Sequence, residues 1–290
     1  ILTAIGIAFW IAVGVFDVTF GGKDEVPSVG ILIMENRGTE EDAFWASSIT
    51  EDLIIKVAGA GLIRVAAMKE ILEIDKKKSF EEIAKKLRVK YLLTSSIHKK
   101  QDGFDLRCQL LEAESGNSKY ANKWSESIDN APTIVGNLAD NILKTLKVST
   151  KQEITKIPTS NAEAYEHYLR GRNQYRKQKN NEDIAIAKEL LHKAINLDEN
   201  LIDAQIWLGR IYQYEENNNK ALTIFEESLK KSRSIGDSIG VAGSLIGIGD
   251  VNYALSRIDS AITIWKKAID IEGIIGDKRG ISRLKILTCV

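Results

Sequence analysis

At 290 residues the chain has room for two modest domains, and its forty basic and forty acidic residues cancel. That balance excludes a global field drawing the chain to nucleic acid or anionic lipid. Three prolines, two methionines and 28% charged residues suit a folded, helix-rich protein, and two cysteines far apart in sequence, Cys108 and Cys289, give no basis for a disulfide framework.

The chain opens with ILTAIGIAFWIAVGVF, uncharged through Phe16, and Asp17, Gly21-Gly22 and Lys23-Asp24 close the run. A full membrane span takes about 20 apolar residues. Residues 1–20 are expected to form a transmembrane helix truncated at its start, with the missing apolar residues upstream of Ile1. A signal-peptide core and a buried helix are the alternatives. No small-residue cleavage motif follows, which disfavours the first. Gly6 and Gly14 are tolerated in a membrane and costly in a short soluble helix, which disfavours the second. Without the upstream flank the positive-inside rule cannot be applied, and orientation stays open.

Residues 27–150 alternate strand and helix. VGILIM at Val29–Met34 reads as a strand buried on both faces. An amphipathic helix follows from about Asp42 to Ala58, with Phe44, Trp45, Ile49, Leu53 and Val57 along one stripe. Gly59 and Gly61 end it. LIRVAAM at Leu62–Met68 predicts a second strand. Ser79 then caps FEEIAKKLRV, and Glu82 three residues on completes a capping box. YLLTSSIHKK and FDLRCQLLEA flank Gln101-Asp102-Gly103, a hairpin signal, and Ser115-Gly116-Asn117 turns into SKYANKWSESI. Phe104, Leu106, Cys108 and Leu110 share one strand face. A closing helix is expected from about Ala131 to Leu146. The predicted order is β-α-β-α-β-β-β-α, an α+β domain of a mixed sheet and its helices.

Several phrases of this domain resemble a known family: ILIMEN, DAFWASSITEDLIIKV, RVKYLLTSSIHKKQDGFDLRCQLLEAESG and KWSESI. They are similar to the domain related to the amino-terminal part of the periplasmic protein TolB, found in many bacterial signalling proteins. The chain departs from that pattern at Met34-Glu35, where relatives carry a proline-phenylalanine pair, and at Ser48, where a glycine is common.

From about Ser160 the pattern is purely helical and repeats. SIGDSIGVAGSLIGIGDV aligns with IIGDKRGISRLKILTCV, placing Gly236, Asp237 and Gly240 over Gly276, Asp277 and Gly280, forty residues on. A period of this size means stacked helical pairs, each too small to bury its own apolar face. NAEAYEHYLRGRNQY, LIDAQIWLGRIYQY and GVAGSLIGIGDVNYA read as three first helices, with Gly171, Gly209 and Gly249 where two helices cross. DIAIAKELLHKAINL, NKALTIFEESLKKS and DSAITIWKKAIDI are their partners, and Ala221 and Phe225, matched by Ala261 and Trp265, supply interlocking small and large residues. These features resemble the tetratricopeptide repeat. Residues 160–290 are expected to form an all-α superhelix of about three repeats plus a truncated fourth. Asp198-Glu199 and Ser232-Arg233 stand where such repeats usually end in proline, and the forty-residue period implies longer helices.

In tetratricopeptide arrays the first helices line a concave face. Counted from the crossing glycines, the residues pointing inward are Tyr168, Arg172 and Tyr175, then Ile206, Arg210 and Gln213, then Ile246, Asp250 and Tyr253. Tyrosine and arginine are common interface anchors, so this set is the candidate partner-binding site. Solvated groove residues or contacts between repeats are the alternative for any one of them.

No catalytic constellation is evident. His98, His167 and His192 share no ligand spacing with cysteine or carboxylate, so no metal or cofactor is expected. Cys108 reads as a small core residue. Glu51-Asp52 and Glu81-Glu82 read as solvated helix surface, and the run DKKKS at Asp75–Ser79 lacks the aromatic interleaving expected for nucleic acid. The architecture resembles the carboxyl-terminal half of membrane-anchored bacterial signalling proteins whose upstream part is an adenylate or guanylate cyclase, a serine/threonine kinase or a winged-helix regulator. That resemblance implies a non-catalytic, extracytoplasmic sensor or scaffold on a single inner-membrane span, with protein or peptide partners. A cyclase or kinase whose catalytic domain lies upstream, an envelope assembly scaffold and a soluble periplasmic protein released by signal cleavage are the rivals. Partner identity and oligomeric state stay open.

Overall fold

The computed structural model describes residues 26–60, 63–75, 77–150 and 156–275, with side chains to 271. The expected membrane helix at 1–20 and the truncated fourth repeat lie outside them. Among the described residues no helix is long and apolar enough to cross a membrane.

The first half is a mixed sheet with helices. Strands β1 (Ser28–Ile31), β2 (Glu35–Asn36), β3 (Arg64–Val65), β4 (Tyr91–Lys99), β5 (Gly103–Glu112) and β6 (Ser118–Ser127) form one sheet in the order β3-β1-β4-β5-β6, with β2 also paired to β4. The pairs β1–β3, β1–β4 and β2–β4 are parallel, and β4–β5–β6 is an antiparallel meander. The hairpin at 101–103 sets the register that places Leu93 over Leu110 and Ile97 over Leu106. These residues share the face buried under helix α1 (Ala43–Gly59), and α1 in turn packs against α4 (Ile134–Thr145). Helix α3 (Phe80–Leu87) begins at the expected capping box, with Glu82 N donating to Ser79 Oγ at 3.2 Å and Ser79 N to the Glu82 carboxylate at 3.0 Å.

Three sequence expectations change. The strand foreseen at Val29–Met34 breaks after Ile31, because Met34 N donates to Thr50 Oγ1 of α1 (2.9 Å) instead of to a neighbouring strand. The strand foreseen at Leu62–Met68 is only Arg64–Val65, and Met68–Leu72 forms a short helix, α2, that alternation did not suggest. The closing helix starts at Ile134, after a 3-10 turn at Ile128–Thr133 that takes up Pro132.

Among the described residues the second half forms three helical hairpins: α5 (Ala162–Lys177) with α6 (Asn181–Leu197), α7 (Ile202–Tyr214) with α8 (Asn218–Ser234), and α9 (Ser238–Ala254) with α10 (Ile258–Ile275). Asparagine caps three of these helices, α5, α6 and α8: Asn161, Asn180 and Asn217 each accept from a backbone N–H three residues on. Glu216 and Ser256, forty residues apart, hold the same left-handed conformation (φ 59° and 58°) at the tips of the second and third hairpins. The same inner hydrogen bond closes both turns, Asn217 N to Tyr212 O and Arg257 N to Asn252 O, each 2.9 Å.

Packing within each hairpin follows the predicted small-and-large scheme. Ala221 and Phe225, and Ala261 and Trp265, are buried, and the first hairpin repeats the scheme with Ala187 and Leu191. A β-carbon added at Gly209 would lie 2.7 Å from the Phe225 ring, and one added at Gly247 of the next hairpin would strike the same ring. One aromatic ring therefore fills the gaps left by two glycines on successive hairpins. The long period also has its cause here: α9 begins eleven residues before Gly249, whereas α7 begins seven before Gly209, an extra turn of helix.

Candidate partner-binding groove

The nine residues assigned to the inner face fall into two groups. Tyr168 and Arg172 are each only 3% exposed, because α1 of the α+β domain lies on them. Arg172 donates to Asp52 Oδ1 at 2.5 Å, to Tyr168 Oη at 2.6 Å and to the Ser48 carbonyl at 3.2 Å. Burial alone would discharge the guanidinium, but the adjacent Asp52 carboxylate outweighs that and raises its pKa. Burial carries the Tyr165 and Tyr168 hydroxyls well above the ordinary tyrosine range, so both stay neutral. Along the same contact Trp45 meets Tyr165 (6.1 Å between centroids), Arg176 pairs with Glu51, the Arg170 guanidinium lies 5.0 Å from the centre of the Phe44 ring, and Lys99 reaches Glu166 at 3.8 Å.

The other seven remain at least partly open, except Ile206, which is 5% exposed. Tyr175 stacks edge-on with Trp207 and Tyr214 at 6.1 and 6.0 Å. The guanidiniums of Arg176 and Arg210 lie 4.8 and 4.7 Å from the centre of the Trp207 ring. Gln213, Ile246 and Asp250 are half-buried, Asp250 accepts from Trp265 Nε1 at 3.0 Å, and Tyr253 is exposed above Trp265. On α9 the residues Ile239, Gly243, Ile246, Asp250 and Tyr253 recur at helical spacing, and both ends of the stripe, Ile239 and Tyr253, are exposed. Burial first, then the carboxylates of Asp52 and Asp237, push Asp203 up to about 6, while Arg172 and Arg210 oppose the shift.

The sequence reading missed Asp52, Glu51, Asp203, Arg176 and Trp207. Glu51 and Asp52 were expected on solvated helix surface; they face α5 and pair with its arginines. The available signal was the stripe on α1, which is too wide for a helix covered on one side: Ser48 and Thr50 are buried along with the apolar residues. Trp207 stands next to the assigned inward position Ile206 and three residues before Arg210, and that spacing was the available clue.

The histidines stay apart: His98 is exposed on β4, His167 lies 3.7 Å from Glu163, and His192 lies 3.5 Å from the Tyr212 hydroxyl. Burial, then Lys220 and Lys188, lower the His192 pKa. Among the described residues no group of three or more histidine, cysteine, aspartate or glutamate side chains is placed to hold a metal ion. Cys108 is buried, and burial raises its thiol to about 11.

Residues 200–271, which take in the second hairpin and most of the third, match the tetratricopeptide repeat family model. Among solved structures, the chain is similar to TolB from Acinetobacter baumannii, with 13% identity and a TM-score of 0.32, over 42% of this chain and 29% of that one. It is also similar to the LpoB C-terminal domain from Salmonella enterica, with 18% identity and a TM-score of 0.28, over 35% of this chain and 83% of that one. The chain thus spans less than a third of the TolB chain. No curated protein matches it.

Proposed function

We propose that this chain is a non-catalytic scaffold that captures a protein or peptide partner in the groove of its second and third repeats. The partly open inner stripe of α7 and α9 carries this reading: Arg210 lies over Trp207, Gln213, Ile246 and Asp250 are half-buried, and Tyr253 is exposed beside Trp265. Aromatic and arginine side chains in such a trough supply anchor energy, and the exposed ends of the α9 stripe give a ligand apolar surface to cover. The uncharged segment at 1–16 supports a single membrane anchor, and resemblance to the carboxyl-terminal half of bacterial one-chain signalling proteins supports an extracytoplasmic sensory role.

Peptides selected from a random displayed library on the full chain test the reading. Arg210→Ala combined with Tyr253→Ala is expected to weaken the selected peptides at least tenfold. Arg107→Ala, on the exposed face of strand β5, leaves them bound. Peptides that bind the double variant as tightly as the native chain overturn the groove assignment.

A further inference from the structure

Arg172 and Tyr168 stand where the first repeat would meet a ligand, yet their partners come from the same chain. Over two turns, Trp45, Ser48, Glu51 and Asp52 of α1 meet Tyr165, Arg172 and Arg176 of α5, with the two helices running in the same direction. We propose that α1 is a built-in ligand of the array: it closes the first repeat's end of the groove, and the Asp52–Arg172 pair latches it there.

Three observations carry this beyond ordinary domain packing. Arg172 occupies the same repeat position as Arg210, thirty-eight residues on, which remains partly open to the groove. The contact is specific in its chemistry, since the guanidinium satisfies a carboxylate, a backbone carbonyl and a phenol at once. A repeat array also needs its terminal hairpins covered, and α1 supplies that cover from the sheet side. Removing one member of a buried pair leaves the other charge without compensation, so the latch is sensitive to single changes and restorable by exchange. The inference stands apart from the peptide reading above, because it concerns a contact within one chain.

The test is hydrogen exchange on the full chain, with arginine modification by a phenylglyoxal reagent. Asp52→Arg and Arg172→Asp, each alone, are expected to speed exchange in α5 and α6 at least tenfold and to leave β4 and β5 unchanged. The double exchange is expected to restore protection to within threefold. Because charge reversal can prevent folding, Asp52→Asn serves as the mild variant: it keeps the size of the side chain, and Arg172 becomes open to the reagent. The latch is overturned if Asp52→Asn leaves Arg172 protected and α5–α6 exchange unchanged. It is equally overturned if β4 and β5 lose protection in step with α5 and α6, or if the exchanged pair fails to recover.

Discussion

Replacing Gly209 by alanine sets two opposed effects of similar size against each other. Alanine is favoured over glycine inside a helix by about 1 kcal/mol, and Gly209 lies within α7. The new β-carbon would stand 2.7, 2.9 and 3.0 Å from three carbons of the Phe225 ring. That ring is fully buried and backed by Gly247 of the next hairpin, so it cannot retreat. Overpacking of this kind costs about 1–3 kcal/mol. The steric effect wins, and Gly209→Ala is expected to destabilise by about 1 kcal/mol. Gly243 on α9 is the matched control. A β-carbon there meets only Ile206 Cδ1, at 3.0 Å, the far end of a flexible side chain. Gly243→Ala is expected to stabilise by about 0.5 kcal/mol. Urea unfolding followed by circular dichroism reads both. A Gly209→Ala protein as stable as the native chain, or more so, refutes the wedge at Phe225.

Asp203 gives a pH prediction. Its folded pKa of about 6 lies above the ordinary 3.8, so the folded state holds the proton more tightly than the unfolded chain. Its contribution to stability is full below about pH 4 and is lost as pH rises through 6, by about 1–3 kcal/mol. Asp203→Asn should remove that slope, unfolding later than the native chain at pH 7.5 and together with it at pH 4; parallel stability curves would contradict the assignment. Cys108, buried with its thiol raised to about 11, should resist thiol reagents at pH 8 in a Cys289→Ser background until the protein unfolds. Rapid labelling in native buffer would show that the strand face is open.

Much of the fold was legible because the deciding signals are local. The capping box at Ser79 and Glu82, the turn at 101–103 and the alternation along β5 each specify their element from a few neighbouring residues. The repeat was legible from the spacing of glycines that must admit a ring, Gly209 for Phe225 and Gly249 for Trp265. What escaped depends on contacts between distant parts. Met34 leaves its strand because Thr50, sixteen residues away, takes its N–H. Arg172 lies under α1 because Asp52, one hundred and twenty residues upstream, faces it. A count from crossing glycines finds which way a side chain points and cannot say what already stands there. The count of inward positions therefore carried no sign that α1 covers Tyr168 and Arg172.

The buried apolar side chains draw the chain's mechanical boundaries differently from its sequence. One continuous cluster runs from Val29 in the sheet through Tyr165, Phe225 and Ile248 to Val251, while Leu245, Ala261, Trp265 and Ala268 form a separate, smaller one. Units that share buried surface open together, and those that share little open alone. The division between the two clusters therefore falls within the third hairpin, where α9 gives Ile248 and Val251 to the larger and Leu245 to the smaller. The core around Trp265 can therefore open by itself, while the first two hairpins stay with the sheet for as long as the Asp52–Arg172 latch holds.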